Sequence, residues 1–168
     1  NAFIPIFWTR ELGTSPEQGS FALTVFFSIG IFMTYIGGLL GDKYGPIKII
    51  RLSLLVWLPA MFLLTEVPTF SPLIMMPIAY LLLLMIGAAK AISYSPVIVL
   101  GQTYLAKSIG FASGITLGVS QTIGGVIAPV VGNLADTYSL PVAMMTLVPF
   151  LVMGLGASLL LKDPKKLQ

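Results

Sequence analysis

The sequence predicts an all-α, multi-pass membrane protein, and three observations carry that prediction. Of 168 residues, 57% are hydrophobic and only 9% are charged, whereas a soluble domain carries about a quarter charged residues. Five stretches poor in charge are each long enough to cross a bilayer core of roughly 30 Å, which takes ~20 mostly apolar residues in a helix. Residues that start helices stand at the heads of these stretches. The chain has no Cys and no His, which excludes a disulfide scaffold, a thiol nucleophile and a Cys/His zinc or haem site. No metal or cofactor is expected. A net charge of +3 is too small to mark a nucleic-acid binder.

Taken in order, residues 1–8 are apolar but too short to cross, and read as the end of a helix whose beginning lies outside the chain. No signal-peptide pattern is seen there, and the chain is expected to be a piece of something longer. The first full span, 20–40, follows Ser15-Pro16-Glu17-Gln18, a capping box with proline in the first helical position. The second runs over 47–65. The third, 72–100, opens on Ser71-Pro72, the same Ser-then-Pro start. The fourth and fifth cover 111–133 and 141–161. No linker divides them, so residues 1–168 read as one domain.

Assigning alternate loops to opposite sides of the membrane sorts the charges. Lys43, Lys48, Arg51, Lys107, Lys162, Lys165 and Lys166 fall on one side. Arg10, Glu11, Glu17, Glu66 and Asp136 fall on the other. Basic loops face the cytoplasm, so the C-terminus is expected there, in a cell (inner) membrane. Interior prolines at positions 59, 77, 96, 129 and 149 suit helices that rock or gate, although proline is in any case commoner in membrane helices than in soluble ones. The aromatic residues are expected in packing, lipid-facing and interfacial roles, with Trp8 an interface anchor.

The loop after the first full span reads Gly38-Leu39-Leu40-Gly41-Asp42-Lys43-Tyr44-Gly45-Pro46-Ile47-Lys48. It resembles the signature of the major facilitator superfamily, with Gly38, Asp42, Lys43 and Gly45 matching; Pro46 and Ile47 stand where two bases are usual. Further on, Gly101-Gln102, Gly110, Ser113-Gly114, Gly124-Gly125 and Gly132 to Asp136 resemble the last two helices of fosmidomycin-resistance-type drug exporters. The resemblance implies a major facilitator half-bundle: five complete transmembrane helices plus the end of a sixth, the C-terminal half of a twelve-helix carrier whose N-terminal half is absent from this chain. It also implies alternating access, small-molecule export and exchange for protons. Physically, Asp42 at a helix end suits a bond to the amides of a neighbouring helix N-terminus. With Lys43, and with Gly38 and Gly45 allowing close approach and a tight turn, it would form a conformational latch.

Lys90 is the charge that topology leaves over. A lysine near mid-span costs ~2.5 to 3.5 kcal/mol on insertion scales, so it is expected to face a wet cavity or a partner. Ser93, Tyr94, Val97 and Gly101 share its face at helical spacing. One reading has Lys90 bind an anionic substrate, a carboxylate or phosphonate, with Tyr94 and Ser93 bonding it. The other has it snorkel to the cytoplasmic interface or pair with an acid in the other half. In the fourth full span, Gly114, Gly118 and Gly125 lie on a small-residue face suited to helix packing. Gln121 on that face either lines the cavity or bonds another helix. Asn1, Ser28 and Tyr35 are further substrate-binding candidates.

Together these features predict a secondary transporter of small solutes, a drug or organic-anion exporter. The alternatives are an uptake carrier for a small anionic metabolite and a non-transporting receptor or subunit on the same fold. An enzyme would have to rest on Lys90 and Ser93 as base and nucleophile. No Asp or Glu lies inside a span, so a proton-carrying carboxylate is expected in the other half.

Overall fold

The computed structural model describes residues 3–161. They form α1 (Phe3–Arg10), α2 (Pro16–Tyr44), α3 (Pro46–Glu66), α4 (Pro72–Tyr104), α5 (Ile109–Gly114), α6 (Ser120–Thr137), α7 (Leu140–Met145) and α8 (Val148–Leu160), and no strand occurs among the described residues. Five helical stretches are long and apolar enough to span a bilayer, with α5–α6 and α7–α8 each making one of them. Asn1 and the last three lysines lie outside the described residues.

The helices overrun the hydrophobic boundaries because capping residues, not the first charge, end them. Gln18 N–H donates to the Ser15 hydroxyl at 3.4 Å to open α2, as the capping box predicts. Gly45 closes it with φ +93° and its N–H bonded to the Gly41 carbonyl at 2.9 Å. That positive φ is one only glycine adopts freely, and Pro46 starts α3 directly after it. Ser71 has the extended backbone of a cap, but its hydroxyl caps nothing.

Two of the expected single helices are interrupted. The fourth span winds into a π turn over Ile115–Val119 between α5 and α6. There the Thr116 hydroxyl donates to the Ala112 carbonyl at 2.8 Å and the Ser120 hydroxyl to the Thr116 and Leu117 carbonyls at 2.7 and 3.0 Å, side-chain bonds of a kind that bend helices. The fifth span breaks at residues 146–147. Pro149 has no N–H for the Met145 carbonyl and its ring crowds that group, so α8 begins afresh with proline in its first turn. Pro59, Pro77, Pro96 and Pro129 stay inside continuous helices.

A core of buried side chains joins α1, α2, α3, α4 and α7, with Phe7, Trp8, Val67 and Leu83 among its fully enclosed members. Trp8 is therefore no interface anchor. It is 0% exposed and packs edge-on against Tyr80 with ring centroids 5.5 Å apart, because the turn after Arg10 folds α1 back onto α2 and α4. The outer faces carry apolar residues such as Phe32, Leu73 and Leu160 in the open, as lipid contact requires.

The backbone-to-backbone seam lies elsewhere than the sequence suggested. A Cβ on Gly37 of α2 would collide with the Ile92 carbonyl of α4, and one on Gly41 would lie 3.1 Å from Pro96 Cγ. In return, one on Gly87 of α4 would meet Ile29 Cγ2 at 2.9 Å. Gly114, Gly118 and Gly125 have nothing within 4 Å of such a position. They are exposed and have no helix against them among the described residues: the π turn meets α4 through Thr116, which lies against Gly101, and α6 packs mainly on α7.

Two polar ties set the bundle's ends. Arg10 Nη1 pairs with Asp136 Oδ1 at 3.0 Å, joining the end of α1 to the end of α6. Arg51 on α3 donates to the Ser158 carbonyl at the end of α8 from Nε at 3.1 Å and Nη2 at 2.7 Å. The first tie joins two charges that the charge sorting assigned to one side, and the second joins Arg51 to the end of the span that leads to the basic C-terminal segment.

Candidate functional site

Lys90 sits near the middle of the 33-residue α4, about 21 Å of helix from its C-terminal end at 1.5 Å per residue. Its side chain is half-buried and lines two cavities that share the Phe26 ring as a second common wall. Nζ stands 5.4 Å from the centroid of that ring, a cation–π distance. Phe26 is itself almost wholly buried, so the pair forms a fixed partition between the two spaces.

The outer cavity, about 300 Å³, lies between α2 and α4. From α4 it takes Gly87, Lys90 and Tyr94, three residues a helical turn apart; from α2 it takes Phe27, Gly30 and Thr34 at the same spacing. Tyr94 is half-exposed beside Lys90, and the Thr34 hydroxyl donates to the Gly30 carbonyl at 2.8 Å. The inner chamber, about 250 Å³, is lined by α1, α3, α4 and the α7–α8 turn. Its walls include Trp57, Met61, Leu83, Met144 and Leu147, and Lys90 is its one charged residue. Trp57 Nε1 is buried with no acceptor among the described residues, so no bond to that nitrogen holds the ring.

Of the residues proposed from sequence, Lys90 and Tyr94 are brought together at one cavity. Ser93 is not: its hydroxyl donates to the Lys90 carbonyl at 2.9 Å and it lines neither space. Ser28 and Tyr35 are exposed on α2 outside both cavities, since the lining face runs through positions 27, 30, 31 and 34 and leaves them on its flank. Gln121 is exposed on α6 and makes no hydrogen bond to the described residues. The amide that does bridge helices is Gln102, whose Nε2 donates to Ser113 Oγ at 2.9 Å. Asp42 is exposed and bonds no helix N-terminus among the described residues, so the latch is not closed within this chain; Lys43 lies 5.1 Å over the Tyr44 ring. Gly38 does meet α4, a Cβ there lying 3.3 Å from Ser95 Oγ.

Trp57, Met61, Met144 and the Gly30–Thr34 face escape the sequence reading. For Gly30 and Thr34 the signal is present, a small and a polar residue four apart on an apolar helix. For the others there is none, because they look like any core residue.

A membrane half-bundle with a cation at mid-depth between cavities is accompanied by a match of residues 1–168 to the Major Facilitator Superfamily family model. The chain belongs to the major facilitator superfamily. Among superfamily relatives, the Uncharacterized MFS-type transporter YfnC of Bacillus subtilis (strain 168) is 32% identical over 151 residues, covering 90% of this chain and 35% of the relative. The Fosmidomycin resistance protein of Escherichia coli (strain K12) is 28% identical over 140 residues, covering 83% of this chain and 33% of the relative. This superfamily chain thus spans about a third of the length of the curated relatives it matches. No solved structure matches it significantly.

Proposed function

We propose that the chain is the C-terminal six-helix half of a secondary carrier that exports drugs or organic anions by alternating access. Lys90 carries the reading: a cation at mid-helix, opening on two cavities, is what an anionic solute would need and what lipid alone would disfavour. Tyr94, one turn on, lines the same space. Export rather than uptake is drawn from the likeness to the Fosmidomycin resistance protein.

The other half closes the cavity, and Asp42 latches onto a helix of that half. Every Asp and Glu among the described residues lies at a helix end or in a loop, so proton exchange would use a carboxylate outside this chain. The basic side, with the C-terminus, faces the cytoplasm of the inner membrane. Transport is favoured over catalysis because the Ser93 hydroxyl is turned to a backbone carbonyl and does not serve Lys90 as a nucleophile.

The test is a resistance and vesicle-flux screen of cells making the intact carrier, with Lys90→Gln and Lys90→Arg alongside. Lys90→Gln should lose at least tenfold in flux of anionic substrates while Lys90→Arg retains part of it. Unchanged flux of every identified substrate in Lys90→Gln would end the anion-site reading.

A further inference from the structure

The two cavities at Lys90 are both mostly apolar but are lined by different side chains, and that difference bears on the substrate class. The outer one has Tyr94 and Thr34 among its lining residues, whereas no hydroxyl-bearing residue among those described lines the inner one. The inner one presents aliphatic, thioether and aromatic carbon, with Lys90 as the single charge at its edge. An isolated anion gains nothing by entering such a space, since it would be desolvated against carbon. An apolar group gains by filling it, because voids lined by carbon leave contacts unmade. A void of about 150 Å³ lined by Leu, Ile and Phe takes up benzene, and this chamber holds about 250 Å³.

Resting on the anion-site reading, we propose that the carrier selects amphiphilic anions: the charged head is held at Lys90 on the Tyr94 side, and an alkyl or aryl tail enters the chamber between Trp57, Met61, Met144 and Leu147. The Phe26 ring is the threshold, lying beside Lys90 Nζ and on the wall of both spaces. α4 then reads the charge, and the tail is measured by α3 and the α7–α8 turn against the Leu83 and Ile86 face of α4. Tail length, more than head chemistry, would separate good substrates from poor ones.

The experiment uses the full-length carrier in lipid nanodiscs and the n-alkylphosphonates from methyl to octyl as probes, with binding measured by calorimetry. Affinity should rise about fourfold per methylene, the equivalent of ~0.8 kcal/mol for each buried CH₂, and level off once the chamber is full. Leu147→Phe, which fills part of the chamber, should move that plateau to a shorter chain. Met144→Phe provides the same test should Leu147→Phe fold poorly, and Lys90→Gln should weaken every member of the series. Binding without chain-length dependence, or a plateau that both filled variants leave in place, overturns the chamber alone. No binding by any member, or a series that Lys90→Gln leaves unaffected, overturns the anion site beneath it.

Discussion

Arg51 holds the last turn of α8 by the Ser158 carbonyl, which accepts from Nη2 at 2.7 Å and from Nε at 3.1 Å, with Leu159 a further acceptor at 3.4 Å. Carbonyls at a helix C-terminus lack intrahelical donors and carry the negative end of the dipole. A guanidinium supplies both what they lack and the opposite charge. Arg51→Ala should destabilise the full carrier by about 1.5–3 kcal/mol, the range for hydrogen bonds to charged groups. Arg51→Lys should recover only part of this, since an ammonium cannot present the fork. Thermal unfolding in detergent reads both.

The α2–α4 seam predicts opposite effects for the same substitution made two turns apart. Gly37→Ala drives a methyl into the Ile92 carbonyl and should cost about 1–3 kcal/mol, as overpacking does. Gly30→Ala places its methyl 4.0 Å from Ala91 Cβ, an ordinary contact. It should be neutral or stabilise by up to ~1 kcal/mol through helix propensity. Equal losses of thermal stability in the two variants would refute the seam.

Trp8 behaves as core. Trp8→Ala should cost about 3 kcal/mol, mostly lost packing, since lipid solvates apolar groups as well as a protein interior does. Trp8→Phe should cost much less, because the indole N–H has no acceptor among the described residues to lose. An interface anchor would lose nearly as much in Trp8→Phe as in Trp8→Ala, since both variants remove the N–H. The stability of the two variants in nanodiscs separates the cases.

Ser93→Ala should leave transport unchanged, its hydroxyl being committed to the Lys90 carbonyl. Tyr94→Phe should weaken apparent affinity for anionic substrates about 2- to 10-fold, the value of one hydrogen bond of ~0.5–1.5 kcal/mol. Flux measured against substrate concentration in vesicles separates the two.

Sidedness is measurable by cysteine labelling of the intact carrier, to which this chain contributes no cysteine of its own. Glu17→Cys should react with an impermeant maleimide added outside intact cells, and Lys48→Cys only once the cytoplasm is opened. The opposite pattern would invert the topology.

The number and order of the spans are legible in the sequence because each depends on local composition, and the ties at Arg10–Asp136 and Arg51–Ser158 fit the alternation of loops that the charges suggest. The choice of packing face is not. Gly114, Gly118 and Gly125 present the same small-xxx-small pattern as Gly37 and Gly41, and which face meets a helix depends on where the partner lies. The π turn is equally hidden, since Thr116 and Ser120 bend the helix through hydroxyl bonds that no proline announces. Lys90 and Tyr94 are found because a charge in an apolar helix is anomalous. Trp57, Met61 and Met144, drawn from two other elements, carry no such mark.

The close fit of Gly37 and Gly41 against Ile92 and Pro96 has a mechanical consequence. Two backbones in contact leave no layer of side chains to shear or repack, so α2 and α4 behave as one stiff plank. If the proposed carrier rocks, the wall that holds Lys90, Tyr94, Gly30 and Thr34 would keep its shape, and the chamber behind it need not. The α7–α8 turn, freed by Pro149, forms the opposite wall of that chamber and is the softer jaw. Opening and closing would then change the room available to a tail more than the grip on a head.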